Sequence, residues 1–255
     1  VYILTYGGGM VSGDIVSIEV ETQQNVNLML LTQGSTKIYK RKNREHTQNQ
    51  ETIHSVGTQQ RLNAHIQKNS MLLQLPEPTT CFHAADYSQR QKFSLENDTS
   101  SVVILDWFTS GRMSRGERWE FASYESGIDL LVGEKLIFRD VVFLKNDFEN
   151  KDVNEIHRRL EPYECFATLV IYGPKTISIT NRVLNEYDKI VVGKTNRIID
   201  LTWSASALCF EREKVNGVVI KIAGITTEMV RNFLVHVALK GLDEIIGENL
   251  FERAL

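Results

Sequence analysis

Ser101-Val102-Val103-Ile104-Leu105-Asp106-Trp107-Phe108 is the stretch on which the fold turns. It is β-branched and apolar, and turn signals flank it at Asn97-Asp98 and Ser110-Gly111. Such a run reads as a strand. The same signature recurs at 15–20, 135–144, 166–172, 190–192, 197–203 and 218–222, with Gly133-Glu134 and Gly173-Pro174 as further punctuation. Asn216-Gly217 predicts a type I′ hairpin turn between 209–212 and 218–221. Two helices stand out. In the first, Thr226 or Thr227 caps a segment ending near Lys240. Met229, Val230, Phe233, Leu234, Val237 and Ala238 form its apolar stripe, and Gly241 stops it. The second runs from Ser178 to about Tyr187, with Val183, Leu184 and Tyr187 on one face. The predicted fold is mainly β: a single domain over 1–255, built of stacked sheets, with two α-helices toward the C-terminal half.

Composition bounds the function. At 255 residues the chain suits one large β domain or two small ones. Apolar content of 42% and charged content of 24% are those of an ordinary globular protein. A net charge of −3 gives no global pull toward nucleic acid or anionic membrane. No apolar run approaches the roughly 20 residues that span a bilayer, and no signal peptide is visible. The three cysteines, Cys81, Cys165 and Cys209, are odd in number and far apart, which predicts reduced thiols in a cytoplasmic protein. Lys37, Lys40, Arg41, Lys42 and Arg44, with Tyr39 among them, have the make-up of a polyanion-binding strip. The balanced total charge favours a solvated hairpin there, so no nucleic-acid partner is expected. The polar segments 43–51 and 147–155 read as loops, with a mobile hairpin tip at the first.

Several residues sit where their chemistry is unusual. Asp106 lies inside an apolar strand, where a charge is costly unless it is paired or lines a wet cavity. A bridge to Arg112 across the following turn is the structural explanation for it. Asp140 follows Arg139 in another apolar strand, and alternation turns one of that pair inward and the other out. Tyr6-Gly7-Gly8-Gly9-Met10-Val11-Ser12-Gly13-Asp14 places four glycines before an acid. A P-loop needs Lys after its last glycine, and Asp14 stands there instead; a strand pattern, not a helix, follows. The acid suits a cation or a backbone turn. Gly34-Ser35-Thr36-Lys37 has Walker-like letters in the wrong order. Arg112 and Glu117 are expected to pair, with Trp119 covering them. Cys81 and His83 fall on one face of an extended chain, as a weak metal pair would. Metalloprotease, paired CxxC and nucleophile-elbow motifs are absent.

The glycine run, then Leu31-Thr32-Gln33-Gly34-Ser35-Thr36-Lys37-Ile38-Tyr39, resembles the opening of the urease accessory protein UreD family, called UreH in some bacteria. The resemblance continues in Leu75-Pro76-Glu77-Pro78-Thr79-Thr80-Cys81-Phe82, Leu105-Asp106-Trp107, Ser110-Gly111-Arg112 and Gly116-Glu117-Arg118-Trp119-Glu120-Phe121. It extends to Val218-Val219-Ile220-Lys221-Ile222-Ala223-Gly224, so the blocks run in family order from residue 6 to about residue 240. Each block is weak alone; in order they are specific. Family members carry a further N-terminal segment with a strand, whereas this chain starts at Val1, so an incomplete N-terminus and an unpartnered sheet edge are expected.

The resemblance implies a β-helical arrangement of sheets with the helices at one end. It implies a non-enzymatic chaperone that binds apo-urease and a UreF-type partner, which in turn recruits a UreG-type GTPase, with two copies of each accessory protein in the complex. Ni²⁺ would be cargo in transit and no cofactor would be held tightly. Transit needs weak, wet oxygen ligands, for which Asp14, Thr36, Asp106 and Asp140 are the candidates. Gly7, Gly8, Gly9, Gly13, Lys37, Arg112, Glu117 and Trp119 are the structural and interaction signature. The alternative is a β-rich hydrolase using Asp106 and Glu117 as an acid/base pair. It requires two carboxyls roughly 5–10 Å apart in an open cleft.

Overall fold

A computed structural model describes residues 1–4, 8–41, 57–146, 155–190, 200–210 and 214–247. In chain order the strands are β1 (Tyr2–Ile3), β2 (Ile15–Thr22), β3 (Asn27–Thr32), β4 (Thr36–Ile38), β5 (Thr58–Ile66), β6 (Met71–Leu75), β7 (Thr79–Cys81), β8 (Asp86–Leu95), β9 (Ser101–Thr109) and β10 (Ser123–Val132). There follow β11 (Lys135–Lys145), α1 (Glu155–Leu160), β12 (Cys165–Tyr172), α2 (Ile177–Asp188), β13 (Leu201–Cys209), β14 (Val215–Gly224), α3 (Thr227–Phe233) and α4 (Leu242–Ile246). The protein is mainly β, with mixed sheets and few helices, as the strand-dominated pattern predicts.

Two sheets stack face to face. The larger runs β1-β3-β6-β9-β12-β14-β13, with the short β4–β7 pair attached through β9; the smaller runs β11-β10-β8-β5-β2. Up to β10 the chain alternates between them. β2, β5, β8 and β10 pair in parallel in the smaller sheet, while β3, β6 and β9 pair in parallel in the larger. Each return thus adds one strand to each sheet. From β11 onward the pairings are antiparallel.

Burial follows this layering. β9 is covered on both faces, which is why its sequence is a continuous apolar run instead of an alternation. Val103, Leu105 and Trp107 join a core beneath the helices, where Ile179 and Val183 of α2, Val230 of α3 and Leu242 of α4 pack. Val102 and Ile104 face the smaller sheet, meeting Phe93, Ile128 and Leu130. A third, aromatic-rich core gathers Phe108, Trp119, Phe121, Tyr87 and Tyr124 at one end of the sandwich.

Both expected helices form. The Thr226 hydroxyl accepts from Met229 N at 3.2 Å, Glu228 sits in the positive first turn, and Gly241 takes φ +88° at the stop. α3 passes into a π-helical turn, Leu234–Ala238, where Leu239 N reaches back to Leu234 O. The apolar residues beyond Gly241 are partly absorbed: Leu242 is buried, and Ile245 and Ile246 pack against the helix-side core.

One expectation is corrected. Asn216-Gly217 is not the hairpin turn but lies within β14, where Gly217 pairs with Tyr172 and Leu208. A Cβ on Gly217 would come within 2.4 Å of Ile171 O, so this glycine serves strand approach. Asn216 instead accepts from Phe210 N through its side chain at 3.2 Å, helping to close the β13–β14 connection. The polar segment 43–51, most of 147–155, most of the strand expected at 190–192 and the start of the one expected at 197–203 fall outside the described residues, while 201–203 opens β13.

Candidate functional site

Alternation along β9 sends Asp106 the same way as Ile104 and Phe108, into the space between the sheets. It stands at the border between the central and aromatic cores. Register extends the interruption sideways: Asp106 pairs with Thr168 on β12, and Thr168 with Lys221 on β14. The opposite sheet supplies a matching polar row, with Gln60, Gln89 and Ser126 aligned across β5, β8 and β10. Gln89 donates to Asp106 Oδ1 at 3.1 Å, and the Ser126 hydroxyl donates to Oδ2 at 2.6 Å. The two rows form a polar seam across the sandwich.

Asp140 ends this seam. Its neighbour Arg139 turns outward onto Asp129 of β10, at 2.7 Å, while Asp140 turns inward and is ion-paired with Lys221. Lys221 also donates to Thr168 Oγ1 at 3.0 Å. Burial pushes the Asp106 carboxyl above the usual carboxylate range; the Ser126 and Gln89 hydrogen bonds pull it partly back. Asp140 adds to the rise and Lys221 opposes it. Burial also raises the Tyr87 and Tyr124 phenols, with Asp106 contributing to both, so they stay neutral beside it.

Asp106 lines two cavities. One, of about 270 Å³, is lined by Asp14, Thr36, Gln60, Gln74, Gln89 and Asp106, among others. The second, of about 330 Å³, is lined by Asp106, Phe108, Phe166, Thr168, Trp203 and Lys221, among others. Asp106 therefore lines both. Gln74 is only 7% exposed, and its Oε1 has no hydrogen-bond partner among the described residues, which leaves an acceptor unsatisfied on the wall of the first cavity.

Of the expected ligands, Asp14, Thr36 and Asp106 share the first cavity; Asp140 reaches the seam from the far side through Lys221. Asp14 also holds its own turn, accepting from Val11 N at 2.8 Å. The glycine run is a turn that docks on β4: Met10 bridges Ile38, and Gly13 has φ +90°. A Cβ on Gly9 would meet Lys37 O at 2.5 Å, so only glycine fits that approach. Gly8 is exposed at φ +79°, Lys37 is exposed, and Gly7 lies outside the described residues.

The polar signature is rearranged. Arg112 does not bridge to Asp106; it holds Glu117, with Nε to Oε2 at 2.8 Å. That ion pair keeps the Glu117 carboxyl below the usual range. Phe82, not Trp119, covers the pair, with the guanidinium 4.2 Å from the Phe82 ring centre. Trp119 is fully buried in the aromatic core instead, at φ +58°, with ring centres 5.7 Å from Phe166 and 6.1 Å from Phe108. Its indole is apolar enough to seek that core once Phe82 occupies the guanidinium face. Glu117 lines neither cavity that Asp106 lines and is held ionised, so the expected Asp106–Glu117 acid/base pair does not assemble. Cys81 and His83 also separate: Cys81 is buried and its thiol is pushed far up by burial, while His83 is exposed beside Glu120. The chain leaves β7 at Cys81, so strand alternation no longer governs His83. Among the described residues, no group of three or more His, Cys, Asp or Glu could hold a metal ion. No helix among them is long and apolar enough to cross a membrane.

Sequence reasoning missed Gln89, Ser126, Thr168, Lys221 and Gln74. Lys221 carried the same signal as Asp106, a charge inside the apolar run Val218-Val219-Ile220-Lys221-Ile222. Gln89 and Gln91 occupy buried positions of an alternating strand, where apolar residues are the rule.

Comparison with known proteins gives the family. The family model described as "UreD urease accessory protein" matches residues 1–250. The chain is 32% identical to "Urease accessory protein D" of Arabidopsis thaliana, covering 97% of this chain and 84% of that protein. It is 32% identical to "Urease accessory protein 4" of Cryptococcus neoformans var. grubii, covering 100% and 82%. "Urease accessory protein UreD" of Sorangium cellulosum is 29% identical, covering 99% and 72%. The chain belongs to the UreD family of urease accessory proteins. Its relatives are named as accessory proteins, not as enzymes.

Proposed function

We propose that this protein is a urease-maturation scaffold that binds apo-urease and a UreF-type partner and offers Ni²⁺ a passage along the polar seam. The observation that carries the reading is that Asp106, between the two sheets, lines two cavities at once. The seam is rich in hard oxygen donors: the carboxylates of Asp14, Asp106 and Asp140, the hydroxyls of Thr36 and Thr168, and the orphaned carbonyl of Gln74. Such donors bind Ni²⁺ more weakly than thiolate or imidazole sets and suit an ion that must leave again. The parallel returns of β2, β5, β8, β10 and of β3, β6, β9 support reading the N-terminal part as a β-helical coil that keeps the seam aligned.

In this reading, GTP chemistry belongs to a UreG-type partner recruited through UreF, and the accessory complex contains two copies of each protein. The test is reconstitution with urease and UreF- and UreG-type proteins from the same source. The expected result is co-purification of the chain with UreF and urease, and nickel in urease matured with it. Failure to associate, together with unchanged urease nickel when the chain is omitted, overturns the reading.

A further inference from the structure

Lys221 is a cation already seated in the seam. It rises from β14 within an apolar run, crosses to the opposite sheet to pair with Asp140 of β11, and donates to Thr168 Oγ1 at 3.0 Å. It lines the second cavity together with Asp106 and Thr168, in the register row that runs Asp106, Thr168, Lys221 across three strands. One carboxylate and one hydroxyl thus hold the ammonium, and the Asp106 carboxylate lines the same cavity. Those oxygens are the donors a hard or borderline divalent cation would use in the same place. On the other side of Asp106, the unsatisfied Gln74 Oε1 lines the cavity that leads to it.

We propose that the Lys221 ammonium is a tethered stand-in cation that closes the seam at the second cavity, and that a divalent metal ion takes the position between Asp106 and Asp140 only by displacing it. The inference rests on the transit reading above. Charge balance gives its logic. With Lys221 in place, the two carboxylates face one positive charge, and an arriving M²⁺ meets a like charge at short range. With Lys221 swung away, two negative charges face two positive ones. The ammonium can swing, because its four-carbon stem is flexible and the side chain is 41% exposed. The energy that holds the gate shut is the Lys221–Asp140 pair, and the ion competes for that same carboxylate. A cation therefore enters by exchange, and none is trapped once Lys221 returns.

The test titrates Ni²⁺ into the full chain by calorimetry, comparing parent, Lys221→Met, and Lys221→Met combined with Asp106→Asn and Asp140→Asn. Methionine keeps the stem length and removes the charge. Lys221→Met is expected to bind Ni²⁺ roughly tenfold tighter or more, since a unit like charge at contact range costs more than one decade of affinity. The triple variant is expected to lose that gain. Should Lys221→Met fail to fold, Lys221→Gln, which removes the charge and keeps a polar donor, carries the same comparison. A folded variant that binds Ni²⁺ no tighter than the parent overturns the gate, as does a gain that survives loss of both carboxylates. Urease nickel loading separates this outcome from the transit reading. Impaired loading by Asp106→Asn with no affinity gain from Lys221→Met removes the gate and leaves transit standing. Normal loading by Asp106→Asn with a carboxylate-dependent gain removes transit and leaves a displaceable cation site.

Discussion

Replacing Asp106 by asparagine separates the two roles a half-buried carboxylate can have here. In the folded protein Asp106 accepts from Gln89 at 3.1 Å and from Ser126 at 2.6 Å. Asparagine is isosteric. Its carbonyl can keep the Gln89 bond, and the Ser126 hydroxyl can rotate to accept from the new amide. Each bond to a charged acceptor contributes about 1.5–3 kcal/mol against about 0.5–1.5 kcal/mol for a neutral one, so the exchange weakens two bonds by about 1 kcal/mol apiece. The relief of desolvation acts the other way and is the larger influence on this carboxyl, because its pKa is raised despite both hydrogen bonds. Asp106→Asn is therefore expected to melt close to the parent or above it, within about 1 kcal/mol. Asp106→Ala leaves the donors short of an acceptor and is expected to cost about 1–3 kcal/mol.

The sign with pH follows. A carboxyl raised in the folded state holds protons that the unfolded chain has already released. The stability it contributes is fully present below the ordinary value of 3.8 and is lost as pH rises through the raised value. Asp106→Asn should flatten that decline, as read by urea unfolding across the acidic range. In the same variant, the nickel content of co-matured urease is expected to fall about tenfold, the low end of what disturbing one metal contact costs. A stable Asp106→Asn that loads nickel normally refutes the transit role. An unfolded Asp106→Asn refutes the energetic argument and makes Asp106 a structural anchor.

Three further outcomes are expected from the geometry around the seam. Trp119→Ala empties a fully buried site in the aromatic core and should cost about 3–5 kcal/mol in urea unfolding; a loss under about 1 kcal/mol would mean the cluster packs loosely. Glu117→Gln should remove a stability contribution that is present above the ordinary value of 4.5 and lost as pH falls through the lowered folded value, so parent and variant converge in acid; parallel pH profiles would contradict the ion pair's role. Gly9→Ala drives a Cβ against Lys37 O and the Tyr39 ring and should cost about 1–3 kcal/mol, detected by thermal melting; an unchanged midpoint would show that the turn shifts freely on β4.

The strand signature found β2 and β11, each with one wet face, as well as runs covered on both faces. β9 and β12 are apolar runs and were legible. β8 carries Asp86, Arg90 and Lys92 on its outer face and Gln89 and Gln91 on its inner one, so no apolar alternation marks it. Parallel pairing of β5 with β2 and β8 is invisible to short-range signals, because the partners lie far apart in the chain. At the site, a charge within an apolar run was enough to single out Asp106, and a strict reading of the same rule would have found Lys221. The turn at Asn216-Gly217 failed for a different reason: glycine there answers a neighbouring strand 40-odd residues upstream and not its own hairpin.

The position of the seam is a consequence of register, and that constrains how it can vary. Side chains alternate with a period of two, so slipping β9 by one residue would turn Asp106 toward the helices and set Leu105 or Trp107 between the sheets. The helix-side core, with Ile179, Val183, Val230 and Leu234 pressed on Leu105 and its neighbours, opposes that slip. So does the central core, where Ile104 meets the opposite sheet. Apolar packing on both faces of β9 thereby fixes a polar group that is itself unfavourable to bury. The same holds on β14, where Ile220 and Ile222 lock the helix side and so aim Lys221 at Asp140. Apolar packing on the helix side thus sets where both charged side chains point, and substitutions in those apolar runs should disturb the Asp106–Thr168–Lys221 row without touching any of its members.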